Sequence, residues 1–425
     1  MQLNDRLKLR RYGPTRRLLR MGLILTIIWF MLETYYIHQL LLNASLFDKP
    51  IKPGHHYPGR IFIASLHWNN EAILRDDWND ALVQLVSHLG PTNVFVSVYE
   101  SGSWDDSKGA LRELDARLDV LDVPRNITLS DVTHQDEISA TPTAAHEQEG
   151  WIDTPRGRRE LRRIPYLARL RNWGLLILED LARQGIVFDT ILFLNDVVFT
   201  TEDVLTLLDT NGGSYAAACS LDFSKPPQYY DTFALRDSQG HEPLMQTWPY
   251  FRSWESLDSL LSMSPIPVTS CWNGMVAMPT SPFLSQTNTP LRFRGIPDSL
   301  ALHHLEGSEC CLIHADNPLS STHGVYLNPK VRVGYNRAAY TAVHPLKPQN
   351  WISSSFSPSS SLARIVVSFW ENRLRRWFTM PVFERRVIRR RVKNWENEEG
   401  NRHEPGEFCL IDEMQVLVSN GWAHV

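Results

Sequence analysis

A polar pair, Asn195-Asp196, interrupts an apolar stretch near the middle of the chain. Ile191 to Leu194 has the composition of a strand buried on both faces, and Val197 to Phe199 is apolar again. Polar residues cannot continue a buried strand without partners, and open α/β sheets bind ligands at the carboxyl ends of their strands. We therefore predict that Asp196 holds a divalent metal, with an Asx turn at the strand exit as the alternative.

An arginine-rich segment precedes this strand. Residues 158–182 have a helical pattern that we expect to break near Pro165, and they carry Arg171-Asn172 beside the apolar half of the helix. Arginine binds phosphate well, so we predict that this pair reaches the diphosphate of a donor. A solvated basic face is the alternative interpretation. A further buried strand ends at Asp222, which could hold a sugar of the donor or cap a turn.

Two segments in the second half of the chain carry further polar candidates. Glu309 precedes a short apolar run that we interpret as a strand, and His314 follows it. His314 could complete the coordination of a metal bound by Asp196, although a lone histidine is usually structural. Residues 267–278 read as strand, turn and strand, and Asn273-Gly274 is typical of a tight turn, so a plain hairpin is the alternative to a functional role.

Aromatic residues with polar tips cluster in two loop-like segments. These are Tyr229-Tyr230-Asp231 and Trp248-Pro249-Tyr250-Phe251. Aromatic residues are more often part of a core, but this composition also fits a carbohydrate-binding cleft.

Strands alternate with helices around these candidates. Residues 60–65 and 93–100 read as strands, each followed by an amphipathic helix, and Thr200 begins a helix as its N-cap. This order predicts an α/β fold with a mostly parallel central sheet. The Gly102 loop is neither a GxGxxG sequence nor a P-loop, so we expect no phosphate cradle of the usual type. We expect residues 134–151 to form a mobile loop.

The amino terminus resembles a membrane anchor. Seven basic residues and one acid precede Met21, and residues 21–42 are mostly apolar. A stretch of this length can cross a bilayer core of ~30 Å, and the basic flank predicts that residues 1–20 stay in the cytosol. Glu33 inside the span costs ~2.5–3.5 kcal/mol on insertion scales, so a cleaved signal peptide is the alternative. The net charge of −4 gives no electrostatic reason to expect a nucleic-acid partner.

We divide the remaining chain by composition. Residues 43–59 form a stem, 60–345 a catalytic domain, and 346–425 an extension with a Ser-rich linker, a basic helix and closing strands. Five cysteines in an oxidising lumen could form up to two disulfides, whose pairing the sequence does not give.

Four sequence blocks carry a family resemblance: residues 193–197, 270–274, 308–312 and 328–333. In this order they resemble the fungal α-1,3-mannosyltransferase family related to the capsule-associated (cryptococcal-type) mannosyltransferases. The resemblance implies a GT-A-like nucleotide-sugar-binding domain and a retaining transfer of mannose from GDP-mannose to a mannan or capsular-type glycan. It also implies Mn²⁺ or another divalent cation, and a single-pass type II protein of the Golgi membrane with its catalytic domain in the lumen.

By position, Asp196 would be the metal aspartate of this family, although Asn195-Asp196 replaces the Asp-x-Asp sequence of many GT-A enzymes. We expect Asp196 and Glu309 to be catalytic and Asp196 and His314 to bind the metal. The other expected contacts are with the donor, by Ser65, Arg171, Asn172, Asn195 and Asp222, and with the acceptor, by Trp272 and Asn273. A glycoside hydrolase that uses Asp222 with Glu309, or a non-catalytic glycan-binding protein, is the competing interpretation.

Overall fold

The computed structural model describes residues 3–47, 57–140, 142, 149–243, 246, 250–285, 289–345, 370, 374 and 381–425. The helices in these ranges are α1 (Leu3–Phe47), α2 (Glu71–Ile73), α3 (Asn79–Leu89), α4 (Ser107–Val120), α5 (His134–Ser139), α6 (Arg163–Arg183), α7 (Thr201–Leu208), α8 (Trp254–Leu261), α9 (Asp298–Ala301), α10 (Glu309–Asp316), α11 (Ser320–His323), α12 (Arg337–Val343) and α13 (Pro381–Glu398). A π-helical turn, Leu74–Trp78, joins α2 to α3.

The strands form one large sheet and three small ones. In chain order they are β1 (Ile61–His67), β2 (Val94–Ser101), β3 (Arg125–Ser130), β4 (Trp151–Asp153), β5 (Arg159–Leu161), β6 (Thr190–Leu194), β7 (Ala217–Lys225), β8 (Gln228–Tyr229), β9 (Arg236–Asp237), β10 (Ile266–Ser270), β11 (Met275–Pro279), β12 (Glu306–Gly307), β13 (Val325–Gly334), β14 (Leu410–Ile411), β15 (Gln415–Val418) and β16 (Gly421–His424). The main sheet has the order β3-β2-β1-β6-β11-β7-β13-β10-β9, with β8 paired to β7.

Parallel pairing dominates the main sheet. The ladders β1–β2, β1–β6, β2–β3 and β7–β13 are parallel and include the longest in the sheet. Antiparallel pairs join β11 to both β6 and β7, β10 to both β13 and β9, and β8 to β7. The predicted α/β fold with a mostly parallel central sheet is therefore confirmed.

The sheet is covered on both faces, which explains its continuous apolar strands. Along β1, Ile61 and Ile63 belong to one hydrophobic cluster, whereas Phe62 and Ala64 belong to another on the opposite face. All five residues of β6 are buried, as expected for a central strand with helices on both sides.

Several local predictions need correction. The segment from Glu309 to His314 is the helix α10, capped by Ser308, and not a strand. A short apolar run that is buried on all sides does not distinguish a helix from a strand by periodicity. Pro165 lies in the first turn of α6, where a missing N–H is tolerated, and it does not break the helix. Part of the predicted loop 134–151 is the helix α5.

The predicted hairpin around Asn273-Gly274 is also wrong in its pairing. Both residues have positive φ values, 54° and 87°, as a tight turn requires. However, β10 pairs with β9 and β13, while β11 pairs with β6 and β7. The turn therefore joins two strands that are not neighbours in the sheet.

The carboxyl-terminal residues pack onto the main domain through the Cys311–Cys409 disulfide and the pairing of β12 with β14. A second disulfide joins Cys219 to Cys271 within the main domain. The expected closing strand pair is present as the hairpin β15–β16. The predicted Ser-rich linker lies outside the described residues, and the boundary at residue 345 stays a prediction.

One helix among the described residues is long and apolar enough to cross a membrane, at Arg17–Tyr36 within α1. This helix is compatible with a single membrane anchor, although an amino-terminal signal sequence has the same length and composition.

Candidate functional site

Asp196 lies where β6 leaves the sheet. The backbone before it is held from two sides, because Asn195 N donates to Gly274 O at 2.9 Å and Trp78 Nε1 donates to Asn195 O at 3.0 Å. Asn70 Nδ2 donates to Asp196 Oδ2 at 2.9 Å. Burial raises the pKa of Asp196 to about 6, against the opposing effect of these hydrogen bonds. The ionised carboxylate is therefore only weakly compensated by the protein.

A chain of uncharged polar groups supports Asp196 from the end of β1. The Ser65 hydroxyl donates to Leu194 O at 2.6 Å, and its oxygen lies 2.8 Å from His67 Nε2. His67 Nδ1 lies 3.2 Å from Asn70 Oδ1. Burial lowers the pKa of His67 to about 4, so the imidazole is neutral at physiological pH. This Ser65–His67–Asn70 chain orients the amide that holds Asp196.

Asp222 forms a second polar group on the neighbouring part of the sheet. Its carboxylate accepts hydrogen bonds from the Tyr335 hydroxyl at 3.0 Å, from Asn273 Nδ2 at 3.2 Å and from the Asp231 backbone N at 3.2 Å. Burial, and then the charge of Asp231, raise the pKa of Asp222 above its ordinary value. Burial also raises the pKa of Asp231. The two carboxyl groups therefore resist simultaneous ionisation.

The Asn273-Gly274 turn brings these two groups together. Gly274 immediately precedes β11, and its carbonyl accepts a hydrogen bond from Asn195 N, beside Asp196. A Cβ atom at Gly274 would lie 2.6 Å from Val333 Cγ2, 3.2 Å from Val197 Cγ1 and 3.4 Å from Asp222 Cβ. Only glycine fits this close approach with a φ of 87°.

An ion pair borders the site on the side of α6. Arg171 Nε donates to Glu309 Oε1 at 3.0 Å, and the side chain of Glu309 is 3% exposed. The Arg171 guanidinium lies over the rings of Trp272, at 4.6 Å, and Phe293, at 5.8 Å. The charge of Arg171 also lowers the pKa of Asp196, opposing the larger effect of burial. Arg171 therefore links the carboxylate of Asp196 to that of Glu309.

Arg163, the first residue of the same helix, carries a second positive charge. Its Nη1 donates to Gln415 Oε1 at 2.6 Å, and its guanidinium lies 4.5 Å from the ring centre of Trp422. Burial lowers the pKa of Arg163, and the charges of Glu309 and Asp231 oppose this shift. The hairpin β15–β16 thus lies against the same charged group of residues.

Acidic groups outnumber basic groups in this arrangement. The carboxyl groups are those of Asp196, Asp222, Asp231 and Glu309, and the guanidinium groups are those of Arg163 and Arg171. Asp196 could supply one carboxylate ligand to a divalent cation such as Mn²⁺ whose other ligands come from the donor, and the arginines suit a diphosphate. The four carboxylates do not themselves come together as a set of three ligands among the described residues.

Asp196, Arg171, Asn195, Glu309 and Asp222 are the predicted residues that the fold brings into one neighbourhood. Three other predicted residues lie close to this neighbourhood, but their polar groups form hydrogen bonds with other parts of the protein. Ser65 binds Leu194 O, both hydrogen-bonding groups of Asn172 bind the Phe293 backbone, and Asn273 binds Asp222 and the Asp231 carbonyl. Trp272 is buried beneath Arg171. The predicted ligand contacts of these residues stay predictions.

His314 lies beside the disulfide of Cys219 and Cys271. Its Nε2 is 2.6 Å from Cys271 O, and burial lowers its pKa to about 4. His314 and the two sulfur atoms are the one group of three potential ligand atoms that lies together among the described residues, but both sulfurs are bonded to each other. Its contacts thus place His314 with the disulfide, and its role as a metal ligand stays a prediction.

Residues that the sequence analysis did not assign also belong to the site. Asn70 follows the end of β1, so the rule that ligands bind at strand ends could have identified it. Tyr230 and Asp231 lie in the aromatic segment that was assigned only as a cleft. Tyr335 and Trp422 carry no local signal, because their contacts arise from distant parts of the chain.

A cavity of about 380 Å³ lies on another face of α6. It is lined by Tyr166, Arg169, Asn172 and Trp173, among others, and contains none of the four carboxylates of the candidate site. This cavity is therefore separate from the charged groups around Asp196.

A comparison with curated proteins finds a related mannosyltransferase. The chain is 25% identical over 296 residues to the alpha-1,3-mannosyltransferase CMT1 of Cryptococcus neoformans var. neoformans serotype D, which covers 66% of this chain. The chain spans 58% of the length of this relative.

Two solved structures are also similar. The mannosyltransferase PcManGT from Pyrobaculum calidifontis, in complex with GDP-Man and Mn²⁺, is 10% identical with a TM-score of 0.31, and the match covers 74% of this chain and 69% of that one. GalNAc-T7 with UDP, GalNAc and Mn²⁺ is 12% identical with a TM-score of 0.34, and the match covers 68% of this chain and 48% of that one.

A family model, described as Cryptococcal mannosyltransferase 1, matches residues 60–316. This range includes most of the main sheet, the Asp196 strand exit, the Asn273-Gly274 turn and the Arg171–Glu309 pair. The match extends over more than half of the chain and agrees with the resemblance carried by the sequence blocks. The chain therefore belongs to the cryptococcal-type mannosyltransferase family.

Proposed function

We propose that this protein transfers mannose from GDP-mannose to a mannose-containing glycan, forming an α-1,3 linkage with retention at the sugar carbon. The observation that carries the proposal is the position of Asp196 at the exit of β6, part-buried and paired with a neutral amide. A buried carboxylate that the protein compensates so weakly is suited to a cation that arrives with the substrate.

In this proposal three charged residues have defined tasks. Asp196 would hold Mn²⁺ or another divalent cation, which supplies charge stabilisation for the leaving diphosphate. Arg171 binds an oxygen of that diphosphate and orients it, while its Nε–H keeps Glu309 in place. Asp222, with Tyr335 and Asn273, keeps the β7 edge of the site rigid for the sugar.

The relatives support the donor and the metal as part of the proposal. One similar structure holds GDP-Man with Mn²⁺, and the curated relative is named an alpha-1,3-mannosyltransferase. We further propose that residues 21–42 anchor the protein in the Golgi membrane as a single span, with the catalytic domain in the lumen and a mannan or capsular-type glycan as acceptor.

Calorimetry on the detergent-solubilised full chain tests this function. GDP-mannose is titrated with Mn²⁺ and again with EDTA, and UDP-sugars are titrated in parallel. We expect binding of GDP-mannose that requires Mn²⁺. Binding of a UDP-sugar instead would contradict the donor, and release of free sugar from a glycan without any nucleotide would favour the hydrolase. Glycan binding that persists in Asp196→Ala, without nucleotide binding, would favour the non-catalytic glycan-binding protein.

A further inference from the structure

Tyr230 is an exposed aromatic residue within the charged group of residues. Its side chain is 57% exposed, and its ring centre lies 4.5 Å from that of Tyr335 at an interplanar angle of 54°. Its backbone N donates to Asp222 O at 3.1 Å. Because the Tyr335 hydroxyl binds Asp222 Oδ2, the position of the Tyr230 ring is tied to the carboxylate on β7.

The neighbours of the Tyr230 phenol show which part of the site it faces. Partial burial raises its pKa, and the charges of Asp196, Asp222 and Asp231 raise it further, while Arg163 opposes them. The exposed face of this ring leaves apolar surface in contact with water. A ligand that covers the ring would remove this surface from water, which is favourable.

Asp231, the next residue, is held by only one of its carboxylate oxygens. Oδ1 accepts hydrogen bonds from the backbone N–H groups of Phe233 and Ala234, each at 3.1 Å. Asn273 Nδ2 holds the Asp231 carbonyl at 3.1 Å. Among the described residues no further donor meets hydrogen-bond geometry at Oδ2, and the Asn273 backbone N–H lies close enough to the carboxylate to lower its pKa. The carboxylate is thus fixed in orientation with one oxygen available.

Building on the proposed function, we propose that Tyr230 and Asp231 form the subsite for the acceptor sugar. The Tyr230 ring packs against the apolar C–H face of a hexose, and Asp231 Oδ2 accepts a hydrogen bond from one of its hydroxyl groups. A hexose presents both surfaces at once, which is why an exposed ring next to an oriented carboxylate suits it.

We assign this subsite to the acceptor because the proposed function already gives Asp196 and Arg171 to the diphosphate of the donor. Tyr230 and Asp231 follow β8 beside Asp222, and Tyr230 is close enough to Asp196 for that charge to raise its pKa, so the acceptor sugar lies next to the donor. Asn273 Nδ2 hydrogen-bonds both the Asp222 carboxylate and the Asp231 carbonyl. We therefore expect Asn273 to affect acceptor binding by holding Asp231 in position. Tyr230 and Asp231 are thus placed to determine acceptor specificity.

Steady-state transfer with methyl α-D-mannopyranoside and an α-mannobioside as probes tests this assignment on the full chain. We expect Tyr230→Ala to raise the acceptor KM by about 10-fold and Asp231→Asn by about 10- to 100-fold, since each removes a contact to the sugar. The Kd of GDP-mannose with Mn²⁺, measured by calorimetry, should change less than about 2-fold, because the proposal gives neither residue a contact with the donor. Tyr230→Phe keeps the ring and should retain the wild-type acceptor KM.

Two control variants match these changes outside the proposed subsite. Trp173 is 54% exposed on α6, so Trp173→Ala removes a comparable exposed ring. Asp237 is buried, and both its oxygens accept backbone N–H groups, from Gln239 and His241 and from Ser253. Asp237→Asn therefore controls for the loss of a loop-holding carboxylate, and thermal melting checks that every variant is folded.

Three outcomes would overturn the inference. One is an acceptor KM in Tyr230→Ala and Asp231→Asn no higher than in the two controls. A second is a GDP-mannose Kd that rises as much as the acceptor KM, which would place these residues on the donor. The third is a wild-type protein that binds no GDP-mannose at all, which contradicts the proposed function itself before any variant is compared.

Discussion

The two sides of the candidate site neutralise their charges in different ways. On the Asp196 side, one carboxylate is supported by the uncharged Ser65–His67–Asn70 chain. On the Asp222 side, the carboxylates of Asp222 and Glu309 accept hydrogen bonds from Tyr335, Asn273 and Arg171. The first side thus relies on uncharged groups, and the second adds one ion pair, between Arg171 and Glu309, to the uncharged donors that hold Asp222.

This difference separates binding from support. A buried ion that lacks an internal partner is costly to the fold, so it persists where a ligand or metal completes it. An ion pair that is complete without substrate instead orients its surroundings. Changes on the Asp196 side should therefore remove activity without unfolding the protein, whereas changes on the Asp222 side should lower stability as well.

The largest effect is expected from Asp196→Ala. Loss of the cation ligand should reduce kcat/KM for mannose transfer by about 1,000-fold or more, or roughly 4 kcal/mol. The melting temperature should remain close to that of the wild type, because among the described residues Asp196 receives a single side-chain hydrogen bond, from Asn70. Full activity in this variant would contradict the metal assignment. Asp209→Ala, at the exposed carboxyl end of α7, is the control and should be silent.

The next effect breaks the ion pair on the other side. Arg171→Met leaves Glu309 buried without its partner, which should cost about 3–5 kcal/mol of folding free energy in addition to weaker donor binding. Denaturant unfolding measures the first effect, and calorimetry with GDP-mannose measures the second.

The double variant Arg171→Met with Glu309→Gln separates these two effects. Removing both charges should restore much of the stability but not the donor affinity. If the double variant bound GDP-mannose normally, Arg171 would have no role in binding the donor and would only stabilise the fold.

The disulfides test how far the Asp222 side depends on distant parts of the chain. Cys311 and Cys409 are separated by 98 residues, and Cys219 and Cys271 by 52 residues. In the chain-entropy model, replacing Cys311 and Cys409 with Ser should therefore cost slightly more, with typical losses of about 2–4 kcal/mol for each pair. Unfolding of the two double-Ser variants measures this order. Equal wild-type stability in the Cys311/Cys409 variant would show that the carboxyl-terminal segment docks without its crosslink.

The Asp196 side was the more predictable from sequence because its signals are local. An apolar run followed by a polar pair gave the end of β6, and Thr200 was assigned as the N-cap that it is, in a capping box with Asp203. The same rule applied to β1 would have added Asn70, whose amide binds Asp196.

The Asp222 side could not be assembled in the same way. Tyr335 and Asn273 bind Asp222 across 113 and 51 residues, and no periodicity reports such contacts. The Asn273-Gly274 turn was recognised correctly by its residue types, yet its pairing depends on sheet order and not on the turn. Glu309 was assigned to the site, but on a strand, because a fully buried helix lacks an amphipathic pattern.

The smallest effect contrasts the two sides through pH. Burial lowers the pKa of His67 to about 4 from its ordinary value of 6.5, so the folded state binds fewer protons and gains stability as pH rises from 4 to 6.5. Burial raises the pKa of Asp222 above 3.8, so the folded state binds more protons and loses stability as pH rises from there. Relative to the wild type, His67→Gln should therefore become less stable, and Asp222→Asn more stable, as pH increases from 4 to 6.5. Denaturant unfolding across this range measures both slopes, and slopes of the same sign would contradict the burial of a neutral imidazole at His67 or of a neutral carboxyl group at Asp222.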